Sequence, residues 1–483
     1  MTRKYSKSLI ISILLALLLA GCGSKDSNTE TTTIDPDTPV TLKVAYMNEQ
    51  AFFQTYGNIF TAKYPNVQFE VIPTMNAAQS ADPMQALIDL IDANQPDIIM
   101  LSLTQYEQLA ADGRLYDLES VIQQSGFDLN NMVDGVLQLL RDAGGGKLYG
   151  LSPTFNTDAL FYNKDLFAKY GIPEPTDFMT WEEVLQLAAR FPTDGDDETR
   201  IYGLAGSIFA QNAFELIQDI ASAKGLNYLN AEATELMMNE PEWKEIFLSV
   251  VEGYKSKTIS LPVATQGGGN GGGMRFNRDS IYFLQGRAAM VVDSSITINM
   301  MNMGTGRGGG GGAGAGTQQQ LQQINWGVVT APVDAATPDM TSTYTVSQIF
   351  AVSAASSQTS MAWEFIKYVH SEEAAKIRSN TSTELQSRTG YEVNANGVNL
   401  EAFYKLNPMT MESTHWYPKG FRSSFNAIAD EEINAAVSEA KTIDDAFASL
   451  LSRGADALAE ANLSGEKEQE GAGFGVQGIF ISR

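Results

Sequence analysis

A layered α/β fold is what this 483-residue sequence predicts. Three observations predict it. From Val40 onward, short apolar runs of strand character alternate with longer segments whose apolar residues recur at helical spacing. Proline, glycine and capping residues stand where those helices should start and stop. The chain, 43% apolar, is long enough to build a conventional core in two or three structural units. Strands alternating with helices favour mostly parallel strands covered by helices.

The elements follow in order. Val40, Leu42, Val44 and Tyr46 alternate with Thr41, Lys43 and Ala45, the period of a first strand. A helix then carries Phe52, Tyr56, Ile59, Phe60 and Lys63 on neighbouring turns and stops at Pro65-Asn66. Val67, Phe69 and Val71 give a second strand. Asp82-Pro83 opens a helix bearing Leu87, Leu90 and Ile91, with proline in the first turn, where its missing N–H costs nothing. Pro96-Asp97 precedes a continuous apolar strand, Ile98-Ile99-Met100-Leu101, and the next helix ends at Asp112-Gly113, a glycine cap. Residues 148–151 and 159–162 read as short strands. Thr180-Trp181-Glu182-Glu183 is a capping box ahead of Val184, Leu185, Leu187 and Ala188. Asn239-Glu240-Pro241 opens a long helix with Trp243, Ile246, Phe247, Val250 and Tyr254. Residues 288–292 and 326–329 read as strands; Ala362, Phe365, Ile366 and Val369 mark a helix. The last helices carry Ile433, Ala436 and Val437, then Phe447, Leu450, Leu451 and Leu458. Trp181 and Trp243 stand at helix starts with core spacing, so both read as structural. Glycine tracts at 267–273 and 304–316 read as surface loops. The stretch 465–483 reads as a loose tail in which Gly478-Ile479-Phe480-Ile481 could form a short strand.

The amino end carries a different message. Arg3, Lys4 and Lys7 precede an apolar run from Leu9 to Ala20, which is about the length of a signal core and short of the roughly 20 residues of a membrane span. Leu19-Ala20-Gly21-Cys22 follows, and Cys22 is the one cysteine of the chain. This quartet resembles the bacterial lipobox. The resemblance implies cleavage after residue 21, a diacylglycerol on Cys22 and attachment at the extracellular face of a cell membrane, typically in a single-membrane bacterium. An ordinary cleaved signal with an incidental cysteine, or an uncleaved anchor helix, are the competing readings. Residues 22–39 are polar and read as a flexible tether.

Composition narrows the function. With 57 acids, 32 bases and a formal net charge of −25, the chain repels nucleic acid and anionic lipid heads. A Cys-based scaffold or metal site is unavailable once Cys22 carries lipid. Two histidines, His370 and His415, exclude a His-rich metal centre and any mechanism needing several imidazoles. No cofactor and no metal are expected. Gly304-Thr305-Gly306-Arg307-Gly308-Gly309 matches G-x-G-x-x-G only because the stretch is so glycine-rich, and no Lys-Ser or Lys-Thr follows. Asp194-Gly195-Asp196-Asp197-Glu198 has the opening spacing of a calcium loop, but the twelfth position is Ala205 where glutamate is needed.

Three blocks, Val44-Ala45-Tyr46 through Lys63-Tyr64-Pro65, Pro96-Asp97-Ile98-Ile99 leading to Leu109-Ala110-Ala111-Asp112-Gly113-Arg114-Leu115, and Gly146-Lys147-Leu148-Tyr149-Gly150-Leu151-Ser152-Pro153, carry a family pattern. Together they resemble the extracellular solute-binding proteins of ATP-binding-cassette importers, in the group that includes maltose and oligosaccharide binders. More specific are Leu160-Phe161-Tyr162-Asn163-Lys164-Asp165-Leu166-Phe167 with Gly171-Ile172-Pro173 and Thr180-Trp181-Glu182-Glu183, and Phe283-Leu284-Gln285-Gly286-Arg287-Ala288-Ala289-Met290. The likeness covers about residues 40–458 and departs in the two glycine tracts and the tail. It implies two α/β lobes, 40–155 plus 334–410 and 159–325 plus 415–460, joined by hinge crossings with a ligand cleft between them. It implies a non-enzymatic monomer that closes on a small-molecule solute, a sugar or oligosaccharide, and hands it to transmembrane permease subunits. A peptide or other polar solute, a sugar-sensing co-receptor, and a secreted glycan-active enzyme are the alternatives.

A pyranose needs aromatic rings for its C–H face and Asp, Asn, Ser or Thr for its hydroxyls. Such groups belong on loops at strand ends facing the cleft. The candidates are Tyr46 and Asn48 after the first strand, Ser102 after the third, Thr154 and Asn156 at the first crossing, and Asp293 and Ser294 after the 288–292 strand. Trp416 and Tyr417, in an unstructured-looking segment near a third crossing, are candidate stacking aromatics. Helix capping, turns or core packing are the competing roles for these residues.

Overall fold

The computed structural model describes residues 38–80, 82–196, 198–208, 210–262, 281–303, 324–381, 384–391, 400–409 and 416–469. The signal segment, Cys22, most of the tether, both glycine tracts, His415 and residues 470–483 lie outside them. The strands, in chain order, are β1 (Val40–Tyr46), β2 (Val67–Pro73), β3 (Ile98–Leu101), β4 (Gly150–Leu151), β5 (Thr154–Phe155), β6 (Asp158–Asn163), β7 (Tyr202–Ala205) and β8 (Ala288–Ser294). They continue with β9 (Trp326–Thr330), β10 (Met340–Thr341), β11 (Ile349–Val352), β12 (Leu385–Gln386), β13 (Asn407–Pro408), β14 (Trp416–Pro418) and β15 (Lys467–Gln469).

Two sheets organise the molecule. Sheet 1 has the order β2-β1-β3-β11-β4, and sheet 2 the order β7-β8-β6-β9. In β1, Leu42, Val44, Ala45 and Tyr46 are all buried, so the alternation seen in the sequence fades where helices cover both faces. The expectation of mostly parallel strands holds for β1 with β2 and β3, and for β7 with β8. It fails for the other pairs of these two sheets: β11 runs antiparallel to β3 and β4, and β6 antiparallel to β8 and β9. The reason is connectivity. The chain leaves sheet 1 from β4 and enters sheet 2 as β6, then leaves sheet 2 from β9 and re-enters sheet 1 as β11. A strand that departs through the crossings and one that returns through them must point opposite ways.

Each sheet carries its own core. Behind sheet 1, Phe52, Phe60, Phe69, Phe350 and Phe365 form edge-to-face and tilted pairs with ring centroids about 5–6 Å apart. The helix expected over 52–63 is interrupted by a π-turn at Phe53–Gly57, which keeps Phe52, Tyr56 and Phe60 turned inward. Beneath sheet 2, Trp181, Phe214, Trp243, Phe247, Phe425 and Phe447 are buried together. The Thr180–Glu183 capping box forms as the sequence predicts, with Glu183 N–H donating to Thr180 Oγ1 and Thr180 N–H to Glu183 Oε2. Gly203 lies flush against the helix Trp181–Ala188; a Cβ there would run into the Ala188 carbonyl. The helices Phe421–Val437 and Ile443–Leu463 pack as an antiparallel pair around Glu432, which is fully buried and accepts from Lys441, Ser449 and Arg453.

Two further expectations change. The 416–418 segment is not irregular, and the tail is not loose throughout: β14 and β15 pair antiparallel, Trp416 opposite Gln469. Segment 400–409 also touches sheet 2, with Phe403 against Phe161 and Leu406 beside Ala331 and Val333.

Candidate functional site

The two sheets are joined by a first crossing, residues 152–157, and a second, residues 331–348, which lie side by side. Asn156 and Thr345 exchange two backbone hydrogen bonds of 2.9 and 2.8 Å. Phe155 stacks on Tyr344 at 5.1 Å. On the sheet 1 side, β5 pairs with β12, and Thr154 Oγ1 donates to Glu384 Oε2 at 3.1 Å. The Glu384 charge is also felt by Tyr46, whose phenol pKa is raised by burial first and by Glu384 second.

On the sheet 2 side the crossing runs into an acidic patch. Asp158 opens β6 opposite Ser294, and Asp293 lies one rung further in. Asp293 is buried and accepts from Ile208 N–H (2.9 Å) and Ser294 N–H (2.8 Å). Burial nevertheless pushes its pKa up to about 6, against those bonds. Asp158 is pushed up to about 7 by burial and then by the Asp293 charge. Asp219, on the helix Glu215–Ala223, keeps an exposed surface, yet lost solvation followed by Asp158, Glu215 and Asp293 holds it well above the usual carboxylate range. Glu215 rises to about 7, chiefly through burial. Glu215 and Asp219 line a depression with Trp181, Ala205, Ser207 and Val292. Asp158 and Glu215, raised to about 7, are partly protonated near neutrality, so each can donate as well as accept a hydrogen bond.

The sequence candidates divide accordingly. Asn156 joins the sheet 2 side, its Oδ1 accepting from Ser295 Oγ at 3.3 Å. Asp293 and Ser294 belong to β8 itself, which runs two residues further than its apolar pattern suggests. Asn48 and Ser102 are helix N-caps: Asn48 Oδ1 accepts from Ala51 N–H at 2.8 Å, and Ser102 forms a capping box with Gln105. Tyr46, 2% exposed, stacks on Phe350. Tyr417, 6% exposed, packs on Tyr228 and under the Arg422 guanidinium. Packing accounts for both rings. The Trp416 backbone forms β14, which sets it in a strand rather than a loop. Trp181 is buried in the core, as its spacing indicates, and also forms one wall of the depression. Glu215 and Asp219 were not legible as site residues, because nothing local separates them from the other acids of the chain; only the fold places them beside Asp158. In the Asp194–Glu198 stretch, Asp196 Oδ1 is taken by Glu198 N–H, Thr199 N–H and Thr199 Oγ1, the hydrogen bonding of a turn. Among the described residues no cluster of three or more His, Cys, Asp or Glu is arranged to hold a metal ion.

Comparison with known proteins gives a consistent result. A family model described as bacterial extracellular solute-binding protein matches residues 45–376, which takes in most of both sheets. The arabinooligosaccharide-binding protein of Bacillus subtilis is 25% identical over 177 residues, 36% of this chain and 39% of that protein. The sn-glycerol-3-phosphate-binding periplasmic protein of Escherichia coli K12 is 25% identical over 187 residues, 38% of this chain and 42% of that protein. The chain thus matches about two fifths of the length of these curated relatives. Solved structures align over nearly their whole length. A sugar transporter from Rhizobium etli in an open conformation has a TM-score of 0.60 at 19% identity, covering 86% of this chain and 99% of that one. The sugar-binding protein MalE of Xanthomonas citri has a TM-score of 0.59 at 17% identity, covering 89% and 100%. At such identities the likeness establishes the two-lobed fold.

Proposed function

Because the chain belongs to the bacterial extracellular solute-binding proteins, we propose that it captures a neutral sugar or oligosaccharide between its lobes and delivers it to the permease of an ATP-binding-cassette importer. The lobes would be 40–155 plus 334–410 and 159–325 plus 415–460, closing about the crossings. Binding favours closure because only the closed state lets both lobes touch the solute. Cys22, lipidated, would hold the protein at the extracellular face of the membrane on the 22–39 tether; two acyl chains suffice for stable anchoring. The relatives compared above are named for binding or transport rather than for catalysis.

The observation that carries the choice of solute is the convergence of Asp158, Glu215, Asp219 and Asp293 at the crossing end of sheet 2. The two curated relatives are named for solutes of different charge, one a neutral oligosaccharide and one a phosphate ester. A phosphate brought to these carboxylates meets like charge at low dielectric. Sugar hydroxyls meet groups that can both donate and accept. Asp158, Asp293, Ser294 and Asn156 would hold hydroxyls from sheet 2 and the crossing, Thr154 would face them from the sheet 1 side, and Trp416 would be the candidate stacking ring; Asn48 and Ser102, which cap helices, and Tyr46 and Tyr417, whose rings are packed within their lobes, would act only by shaping the site.

A thermal-shift screen of the purified chain tests this. A neutral oligosaccharide at about 100 times its dissociation constant should add about 2.7 kcal/mol of stability, and sn-glycerol 3-phosphate should add none. A shift with the phosphate ester and none with arabino- or malto-oligosaccharides would overturn the assignment. Mass spectrometry of the mature protein tests the anchor: its first residue should be Cys22, and it should be diacylated.

A further inference from the structure

From the way the two crossings are bonded, we propose that Thr343 is the positioning residue of the hinge: its hydroxyl forms the compliant rung on which Asp158 and the start of sheet 2 swing. The inference rests on the reading that this protein closes about its crossings, and it adds where the bend lies.

Asn156 and Thr345 form a complete antiparallel rung, with both backbone bonds made. In a regular antiparallel ladder the next hydrogen-bonded rung would pair Asp158 with Thr343 through their backbones, two residues on in one strand and two back in the other. That rung is made differently. Asp158 N–H donates to the Thr343 side-chain oxygen at 3.0 Å. Thr343 N–H in turn reaches Thr341 Oγ1 at 3.3 Å. The Thr343 hydroxyl also lies 2.9 Å from Thr157 Oγ1 and 3.0 Å from Thr341 Oγ1. Thr343 Oγ1 accepts from Asp158 N–H, and with one proton and two lone pairs it can accept from one of the Thr157 and Thr341 hydroxyls while donating to the other. The ladder therefore changes from backbone to hydroxyl at the residue where the chain enters sheet 2.

This change of bonding locates the bend. A backbone rung fixes two peptide planes against each other, whereas a hydroxyl oxygen belongs to a side chain and accepts over a broad range of directions, so the Asp158 N–H can swing without two peptide planes having to stay aligned. The sheet 1 side of the rung is held by more than the backbone. Phe155 stacks on Tyr344, and β5 pairs with β12. Beyond the hydroxyl rung, Asp158 enters the β6 ladder with Ser294 and the sheet moves as a unit. Lobe rotation is thus concentrated between residues 156 and 158 on one crossing and 343 and 345 on the other. Thr343 also sets where Asp158 stands, and so positions a cleft carboxylate without touching solute.

Amide hydrogen exchange on the ligand-free protein tests this, so the outcome does not depend on which solute is bound. In the wild type, Asp158 should exchange faster than Asn156 and Thr345. Thr343→Val, of similar shape without the hydroxyl, should speed exchange at Asp158 by about fivefold to tenfold, the loss of one hydrogen bond. Exchange at Asn156 and Thr345 should stay as it was, and the melting temperature should fall by no more than about 4 °C. Thr343→Ser should restore the wild-type rate. In solution scattering, Thr343→Val should widen the spread of lobe separations while Thr343→Ser should not. Equal acceleration at Asn156 and Thr345 would mean the crossing melts as a whole. Unchanged exchange at Asp158, or failure of serine to rescue, would mean the hydroxyl is not the rung. Either result overturns the proposal.

Discussion

Replacing Asp158 by asparagine should make this protein more stable at pH 8, not less. The folded-state pKa of Asp158 is raised from 3.8 to about 7 by burial and the Asp293 charge. An acid with a raised pKa binds more protons folded than unfolded, so its penalty is absent below 3.8, grows as pH rises, and is complete above about 7. Roughly three pKa units at about 1.4 kcal/mol each put the full penalty at about 4 kcal/mol. For a folded body of roughly 400 residues the unfolding entropy is about 0.8 kcal/mol/K, so Asp158→Asn should raise the melting temperature at pH 8 by about 5 °C. No hydrogen bond of the Asp158 side chain is needed to hold β6, since the strand is anchored through its backbone. The assay is differential scanning calorimetry from pH 6.5 to 8. Wild-type stability should fall across that interval, and the variant should show a shallower slope. A variant equally or less stable at pH 8, with the wild-type slope, would show that Asp158 is not charged against its surroundings and would remove the main support for a low-dielectric acidic cleft.

Two further outcomes follow from buried groups elsewhere. His370, buried with Nδ1 on the Ile366 carbonyl, has its pKa lowered to about 3, first by burial. It is neutral when folded and charges on unfolding below 6.5, so its contribution is intact above pH 6.5 and is lost as pH falls toward 3. The loss is about 5 kcal/mol in full. Denaturant titrations should show stability declining over that window in the wild type and a flatter profile in His370→Asn. Glu432→Gln should cost about 2 kcal/mol, less than breaking a fully buried pair, because Lys441 and Arg453 are each 39% exposed and can rehydrate; urea midpoints measure it, and an unchanged midpoint would show that the hub adds nothing to the packing of the last two helices.

Much of the fold was legible because local signals and tertiary demands agree. The β1, β2 and β3 strands, the Thr180 capping box and the proline-opened helices at Pro83 and Pro241 all form where the sequence places them. The antiparallel directions of β11 and β6 were not legible, because they depend on the crossings and not on either strand's own residues. β14 escaped notice because a three-residue strand gains its identity from its partner, β15, about 50 residues later. The site was less legible than the fold. Asn48 and Ser102 have the chemistry of ligand contacts, but a side-chain oxygen just before a helix is equally suited to cap it, and the cap won. Tyr46 and Tyr417 are aromatic and adjacent to strand ends, yet each finds a ring to pack on inside its own lobe. Asp219 illustrates the opposite error: an unremarkable acid in sequence becomes notable only when the helix carrying it is laid beside β6 and β8.

The close fit of Gly203 to the helix Trp181–Ala188 has a consequence for how such a binding site can change over generations. Trp181 heads that helix and walls the depression, whereas Gly203 stands behind it, against Ala188. A larger residue at 203 would push on the helix and shift the indole, altering the dimensions of the depression without changing the identity of any residue that lines it. Selectivity can then drift through residues that never meet the solute, so relatives could share a lining and still prefer different sugars.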